Sequence, residues 1–161
     1  MRLQQSQLKT GFRPPSDPVQ RAWIAVGRVS QAVQCDVETK LKKAGFPELS
    51  WYTVLWELER AGKPTRPKDL AIPLFILPYQ LSRLVDRMEA EGLVKRTLCK
   101  EDKRGHLLEP TAKGFALRKE MWSVYAPAMD EAMKRLSDAE HVQLAALLNK
   151  LGGIDPNASK A

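Results

Sequence analysis

The side chains able to do chemistry fall into two sets, and the first leads nowhere. His106 and His141 are the only histidines, and Cys35 and Cys99 the only cysteines. They lie far apart and lack the ligand spacing of a zinc site. No Ser/His/Asp arrangement, Gly-rich phosphate loop or paired-carboxylate motif accompanies them. Catalytic residues, metal ligands and cofactors are therefore not expected, and the chain does not read as an enzyme. His106 reads as a residue beside a nucleic acid and His141 as a helix-surface residue. The second set is cationic and amide-bearing. Gln80 and Arg83 have the donors for bidentate contacts to adenine and guanine respectively. Pro78, Tyr79 and Ser82 share their surface, and Arg87 suits a phosphate. Lys103 and Arg104 stand at a turn tip, where they suit a narrow minor groove, and Lys100 suits a phosphate. Ser50, Lys63, Thr65, Arg66 and Lys68 are candidates for backbone contacts, which position rather than specify.

These residues need elements to present them, and residues 77–111 supply the outline. Pro78 can open a helix, because its missing N–H is an orphan of the first turn. Leu81, Leu84, Val85 and Met88 recur at three- and four-residue spacing and form one apolar face. Tyr79, Gln80, Ser82, Arg83, Asp86 and Arg87 occupy the opposite face. Gly92 stands where a left-handed cap is usual. A β-prone run, Leu93 to Cys99, a charged turn, Lys100 to His106, and a short apolar run at Leu107–Leu108 follow. Polar-faced helix, strand, basic turn and strand make a recognition helix with a β-wing.

Charge distribution agrees. The net charge is +7. Residues 1–21 carry four Lys/Arg against one Asp, and residues 62–106 carry ten Lys/Arg against six Asp/Glu. The segments 22–61 and 107–161 balance, at five against five and seven against seven. The whole excess sits in an N-terminal arm and the helix-plus-wing region, which favours a polyanion partner. At 161 residues the chain can bury a real core, and 43% hydrophobic residues argue against global disorder. No stretch approaches the roughly 20 apolar residues of a membrane span. No signal-peptide core is legible, and two cysteines make no disulfide framework, so a cytoplasmic setting is expected.

Elsewhere, Asp17 is expected to cap a first helix, with Gln20 bonding back as in a capping box. Val19, Trp23, Val26, Val29, Val33, Val37 and Leu41 mark its stripe, which runs towards Gly45. Ser50 is expected to cap a second helix, Trp51 to Ala61, closed by Gly62. Thr65 to Ile72 reads as a short third helix ended near Pro73. Thr111 caps a fifth helix that Pro127 kinks or interrupts. Ser137-Asp138-Ala139-Glu140 is a capping box for a sixth, with Val142, Ala145, Leu148 and Leu151 on one face, and Gly152-Gly153 stops it.

With this order in place, Leu81-Ser82-Arg83-Leu84-Val85-Asp86-Arg87-Met88-Glu89, then Glu91-Gly92-Leu93-Val94-Lys95-Arg96, then Asp102-Lys103-Arg104, resemble the MarR family of bacterial transcriptional regulators. Thr111 and Gly114 fall at the family's downstream spacing. Ser82 stands where the family commonly has Thr, and Pro110 where it has Leu, so the second wing strand is expected to end early. The resemblance implies a mainly α fold with a small β-wing, a winged helix-turn-helix with a helical dimerisation region. Residues 1–17 would be a flexible basic arm and 18–151 the MarR-type domain. Within it, the winged helix spans about 48–111 and the dimerisation helices about 18–45 and 111–151; 152–161 would be a disordered tail. It further implies a homodimeric repressor on double-stranded DNA with a pseudo-palindromic operator, in which Asp102 holds the wing arginine by an ion pair. A small aromatic or phenolic effector would release it, with Trp23, Trp51, Tyr52, Trp56, Trp122 and Tyr125 as candidate lining; core packing is the other reading of these aromatics. Some family members sense oxidants through a cysteine near the first helix. Cys35 reads rather as a packed thiol, with redox sensing an alternative. The fold alone also permits a protein-binding adaptor without DNA contact.

Overall fold

The computed structural model describes residues 15–74, 76–99 and 105–153. The chain orders as α1 (Asp17–Lys43), α2 (Leu49–Ala61), α3 (Pro67–Leu74), α4 (Pro78–Ala90), β1 (Val94–Leu98), β2 (His106–Pro110), α5 (Ala112–Met133) and α6 (Asp138–Gly152). Among the described residues it is mainly α with one two-stranded antiparallel sheet, the expected fold class. The chain divides into two compact units between Cys35 and Asp36.

The first unit holds the opening turns of α1. Here Asp17 is not the cap. The helix starts one residue earlier in hydrogen-bonding terms, with the Gln20 N–H donating to the Ser16 carbonyl. The Gln20 amide donates to the Pro15 carbonyl at 2.7 Å instead of closing a capping box. Asp17 is left facing Arg21 at 3.9 Å. Along this part of the stripe Val19, Trp23, Val26 and Val29 are all exposed. Cys35 is exposed too, which corrects the expected packed thiol.

In the second unit, α2, α3, α4 and the hairpin enclose the core. Val54, Leu55, Leu58, Leu70, Ala71, Leu81, Leu84, Val85, Met88, Leu93, Val94 and Leu108 are its buried members. All four apolar positions assigned to α4 are inside, so the 3.6-residue period set the face of that helix. Gly92 takes φ +70° after it, a left-handed conformation that costs glycine little.

Four local expectations need correction. Glu48, not Ser50, is the cap position of α2, and its side chain makes no cap bond. The first helical N–H, of Leu49, is instead satisfied by the Glu38 carboxylate from α1 at 3.0 Å. Thr65 belongs to no helix: it exchanges backbone hydrogen bonds with Leu108 at 3.0 and 2.9 Å. Pro64 and Pro67 flank the Thr65-Arg66 pair and disfavour helical backbone before them, which frees Thr65 to lie beside the wing. β2 does not end early, because Pro110 pairs with Val94 at its last position. A proline at the end of a two-stranded ribbon sacrifices one donor at most, and the Thr111 N–H continues to the Leu93 carbonyl at 2.9 Å. Pro127 does not interrupt α5, which runs unbroken from Ala112 to Met133.

Thr111 does cap α5, accepting from the Gly114 N–H at 3.1 Å and donating to the Gly92 carbonyl at 2.7 Å. One threonine thus fastens the start of α5 to the end of the reading helix. Ser137 and Glu140 form the expected capping box of α6, and Gly153 closes that helix at φ +63°. His141, expected on the surface, is half-buried, with Nε2 3.1 Å from the Met133 carbonyl.

Candidate nucleic-acid interface

The exposed face of α4 is assembled from its first turn outward. Leu77 precedes the helix in extended conformation and Pro78 occupies its first position. The Gln80 carboxamide oxygen accepts the Leu77 N–H at 3.1 Å, half of a capping box. No acidic residue lies in this first turn, so the positive end of the helix dipole is uncompensated. Tyr79, Gln80, Ser82 and Arg83 are all exposed. Tyr79, Ser82, Arg83 and Asp86 follow the three- and four-residue spacing of a single helix face.

Two acidic residues further along α4 would repel a phosphate backbone, and Arg96 on β1 answers both. Its guanidinium pairs with Asp86 at 2.5 Å and with Glu89. Partial burial opposes the Arg96 charge, but the two carboxylates together outweigh it and raise its pKa. Arg96 therefore offsets part of the acidic charge of α4 and ties that helix to the wing. Sequence reasoning quoted Arg96 without assigning it a role; the signal was the Asp86/Glu89 pair one turn apart, facing a cation on the next strand. A cross-strand pair, Lys95 with Glu109 at 2.9 Å, reinforces the hairpin.

The remaining candidates divide sharply. Arg87, assigned to a phosphate, is held by Glu48 at 2.5 Å and lies over the Trp51 ring at 6.0 Å. Ser50 Oγ is shut off from solvent and has no hydrogen-bond partner among the described residues. It does not offer a surface contact. Lys63 and Lys68 are exposed; Thr65 and Arg66 are half-buried. The Thr65 hydroxyl donates to the Lys63 carbonyl at 2.9 Å, and Arg66 reaches the buried Cys99 sulfur at 3.5 Å. Pro78 and Ser82 border a cleft of about 460 Å³ that also involves Pro67, Asp86, Arg96 and the exposed His106. Lys100, Asp102, Lys103 and Arg104 lie outside the described residues.

The five aromatic candidates of the second unit fall in separate places. Tyr52, Trp122 and Tyr125 pack together, with ring centroids 5.0 to 6.0 Å apart. Burial raises the Tyr52 phenol pKa, with Arg118 pulling partly the other way. Trp56 lies beneath the Arg118 guanidinium, which pairs with Glu59. Trp51 donates to Glu48 at 3.2 Å and borders a separate cavity of about 570 Å³, with Phe46, Leu93, Lys113 and Leu117. Trp23, on the first half of α1, is 81% exposed.

Three core helices, a two-stranded wing and an exposed helix face poor in unpaired acid define a winged helix-turn-helix module. Comparison places that module: a family model described as the MarR family matches residues 45–105. Solved structures agree along nearly the whole fold. AbsC, a MarR family transcriptional regulator from Streptomyces coelicolor, is 24% identical with a TM-score of 0.78, covering 88% of this chain and 97% of its own. A cysteine-to-serine mutant of MarR from E. coli, complexed with operator DNA, is 25% identical with a TM-score of 0.72, covering 84% and 94%. Sco3205, a MarR family regulator from Streptomyces coelicolor in complex with DNA, is 23% identical with a TM-score of 0.79, covering 91% and 94%. The resemblance to the MarR family is thereby shown, in the sequence of the reading segment and in the fold. Among the described residues no helix is long and apolar enough to cross a membrane.

Proposed function

We propose that this chain is a transcriptional regulator that binds double-stranded DNA sequence-specifically, α4 entering the major groove and the wing tip the minor groove. One observation carries the reading: the exposed Tyr79, Ser82 and Arg83 face stands on a buried apolar stripe, while Arg96 pairs with the two acidic residues beside it and offsets part of their charge. Lys63 and Lys68 are the phosphate contacts that exposure favours, and on sequence grounds Lys100 joins them, with Lys103 and Arg104 at the minor groove. Arg87 and Ser50 drop out of the contact set, because each is engaged or shielded elsewhere.

The regulator acts as a homodimer. Apolar side chains left open on α1 (Val19, Trp23, Val29) and on α6 (Val142, Leu147, Leu151) support this, since such surface is seldom left uncovered. A twofold dimer reads a pseudo-palindrome with half-sites about 34–36 Å apart. Repression, relieved by a small aromatic or phenolic effector, completes the reading. The cavity beside Trp51 has a volume in the range of small-molecule sites. Exposure of Cys35 alone does not make it a redox switch.

Selection of bound fragments from genomic DNA by the full-length protein tests the proposal. The expected result is a common pseudo-palindromic site with that half-site spacing. Retention of no DNA at low salt would replace the reading with that of a protein-binding adaptor.

A further inference from the structure

We infer that the first turn of α4 reads thymine, through the 5-methyl groups, and that Arg83 rather than Gln80 supplies the adjoining polar contact, to guanine. The inference rests on the DNA-binding reading and gives it a base preference. Leu77 is 55% exposed and Tyr79 59%, with Pro78 exposed between them, in the turn that leads a recognition helix. Three consecutive nonpolar or aromatic residues at that position present few donors to a base edge. What they match is the one apolar group the major groove offers, the thymine methyl.

Gln80 had seemed the adenine reader. A bidentate pair with adenine needs its amide oxygen and nitrogen directed outward together. Here the oxygen is turned back onto the Leu77 N–H at 3.1 Å, so the carboxamide serves the helix end. Arg87 is also withdrawn, held between Glu48 and the Trp51 ring. Arg83 is exposed, one turn beyond Tyr79 on the same face, and has no ion-pair partner among the described residues. Its planar fork fits the O6 and N7 acceptors of guanine. A half-site with thymine next to guanine follows, in place of one centred on adenine and guanine.

The test uses the full-length protein and a duplex operator selected from a random-sequence pool. Each thymine of the half-site is replaced in turn by deoxyuridine, which removes only the methyl. Wild-type protein is expected to lose about fourfold in affinity at one or two positions, the worth of one buried methyl. Leu77→Ala and Tyr79→Ala are expected to abolish the thymine-over-uracil preference at those positions, while discrimination of guanine survives until Arg83→Ala removes it. Gln80→Ala is expected to leave base preference unchanged. Equal binding of thymine and deoxyuridine at every position would overturn the inference, as would a preference that survives both apolar variants. A pool in which no sequence is enriched would instead remove the DNA-binding reading itself.

Discussion

At the scale of the residue, Gly114 shows how little room the fold leaves. A Cβ built there would lie 2.2 Å from the Leu93 carbonyl oxygen and 2.9 Å from a Leu55 methyl. The first of these is backbone and cannot rotate away. Gly114→Ala is expected to cost about 1–3 kcal/mol, the range for overpacking a tight interior, and to loosen α5 from the end of α4. Urea unfolding measures it; a variant as stable as wild type would show that the junction of Thr111, Leu93 and Gly114 is not rigid. The sequence marked Gly114 by spacing alone, and the close approach explains why glycine stands there. Other single residues were illegible for a different reason. Ser50 looked like a cap because its type and place fit, but the helix starts at Leu49, before it, and the N–H of Leu49 is held by Glu38 on another helix. Cys35 looked packed because an apolar stripe implies a cover, but it stands in the exposed part of α1, two residues before the buried Val37, and is itself exposed.

At the scale of the element, local rules did well where the partner group lies within one turn and nothing else competes for it, as something does for Gln20, whose amide turns to the Pro15 carbonyl. The apolar period of α4, the left-handed Gly92, the Thr111 cap and the Ser137/Glu140 box all depend on near neighbours. Thr65 was misplaced because its partner, Leu108, lies across the chain on the wing, and only tertiary pairing shows it. The α6 box also makes a pH prediction. The Ser137 backbone N–H and then its hydroxyl hold the Glu140 carboxyl below the ordinary glutamate pKa. A depressed folded-state pKa contributes stability that is present above the ordinary value and lost as pH falls through the folded one. Stability measured from about pH 6 to about pH 3 should therefore fall less steeply in Glu140→Gln than in wild type. Identical slopes would mean that the box contributes nothing to α6.

At the scale of the molecule, charge and fold point the same way. The positive excess of residues 62–106 falls on the segment that forms α3, α4 and the wing, and two of its six acidic residues, Asp86 and Glu89, are paired with Arg96. Binding should then be strongly salt-dependent, because each cation–phosphate contact releases counterions. The most direct measurement is a salt titration of operator affinity, against a scrambled duplex, for wild type, Lys68→Ala and Arg83→Ala. Lys68→Ala is expected to lower affinity on both duplexes and reduce the salt slope by about 1. Arg83→Ala is expected to cost about 1–3 kcal/mol on the operator alone, erasing preference at one base position. Equal affinity of wild type for operator and scramble, or an Arg83→Ala variant indistinguishable from wild type, would contradict the assignment of the α4 face as the DNA-reading surface.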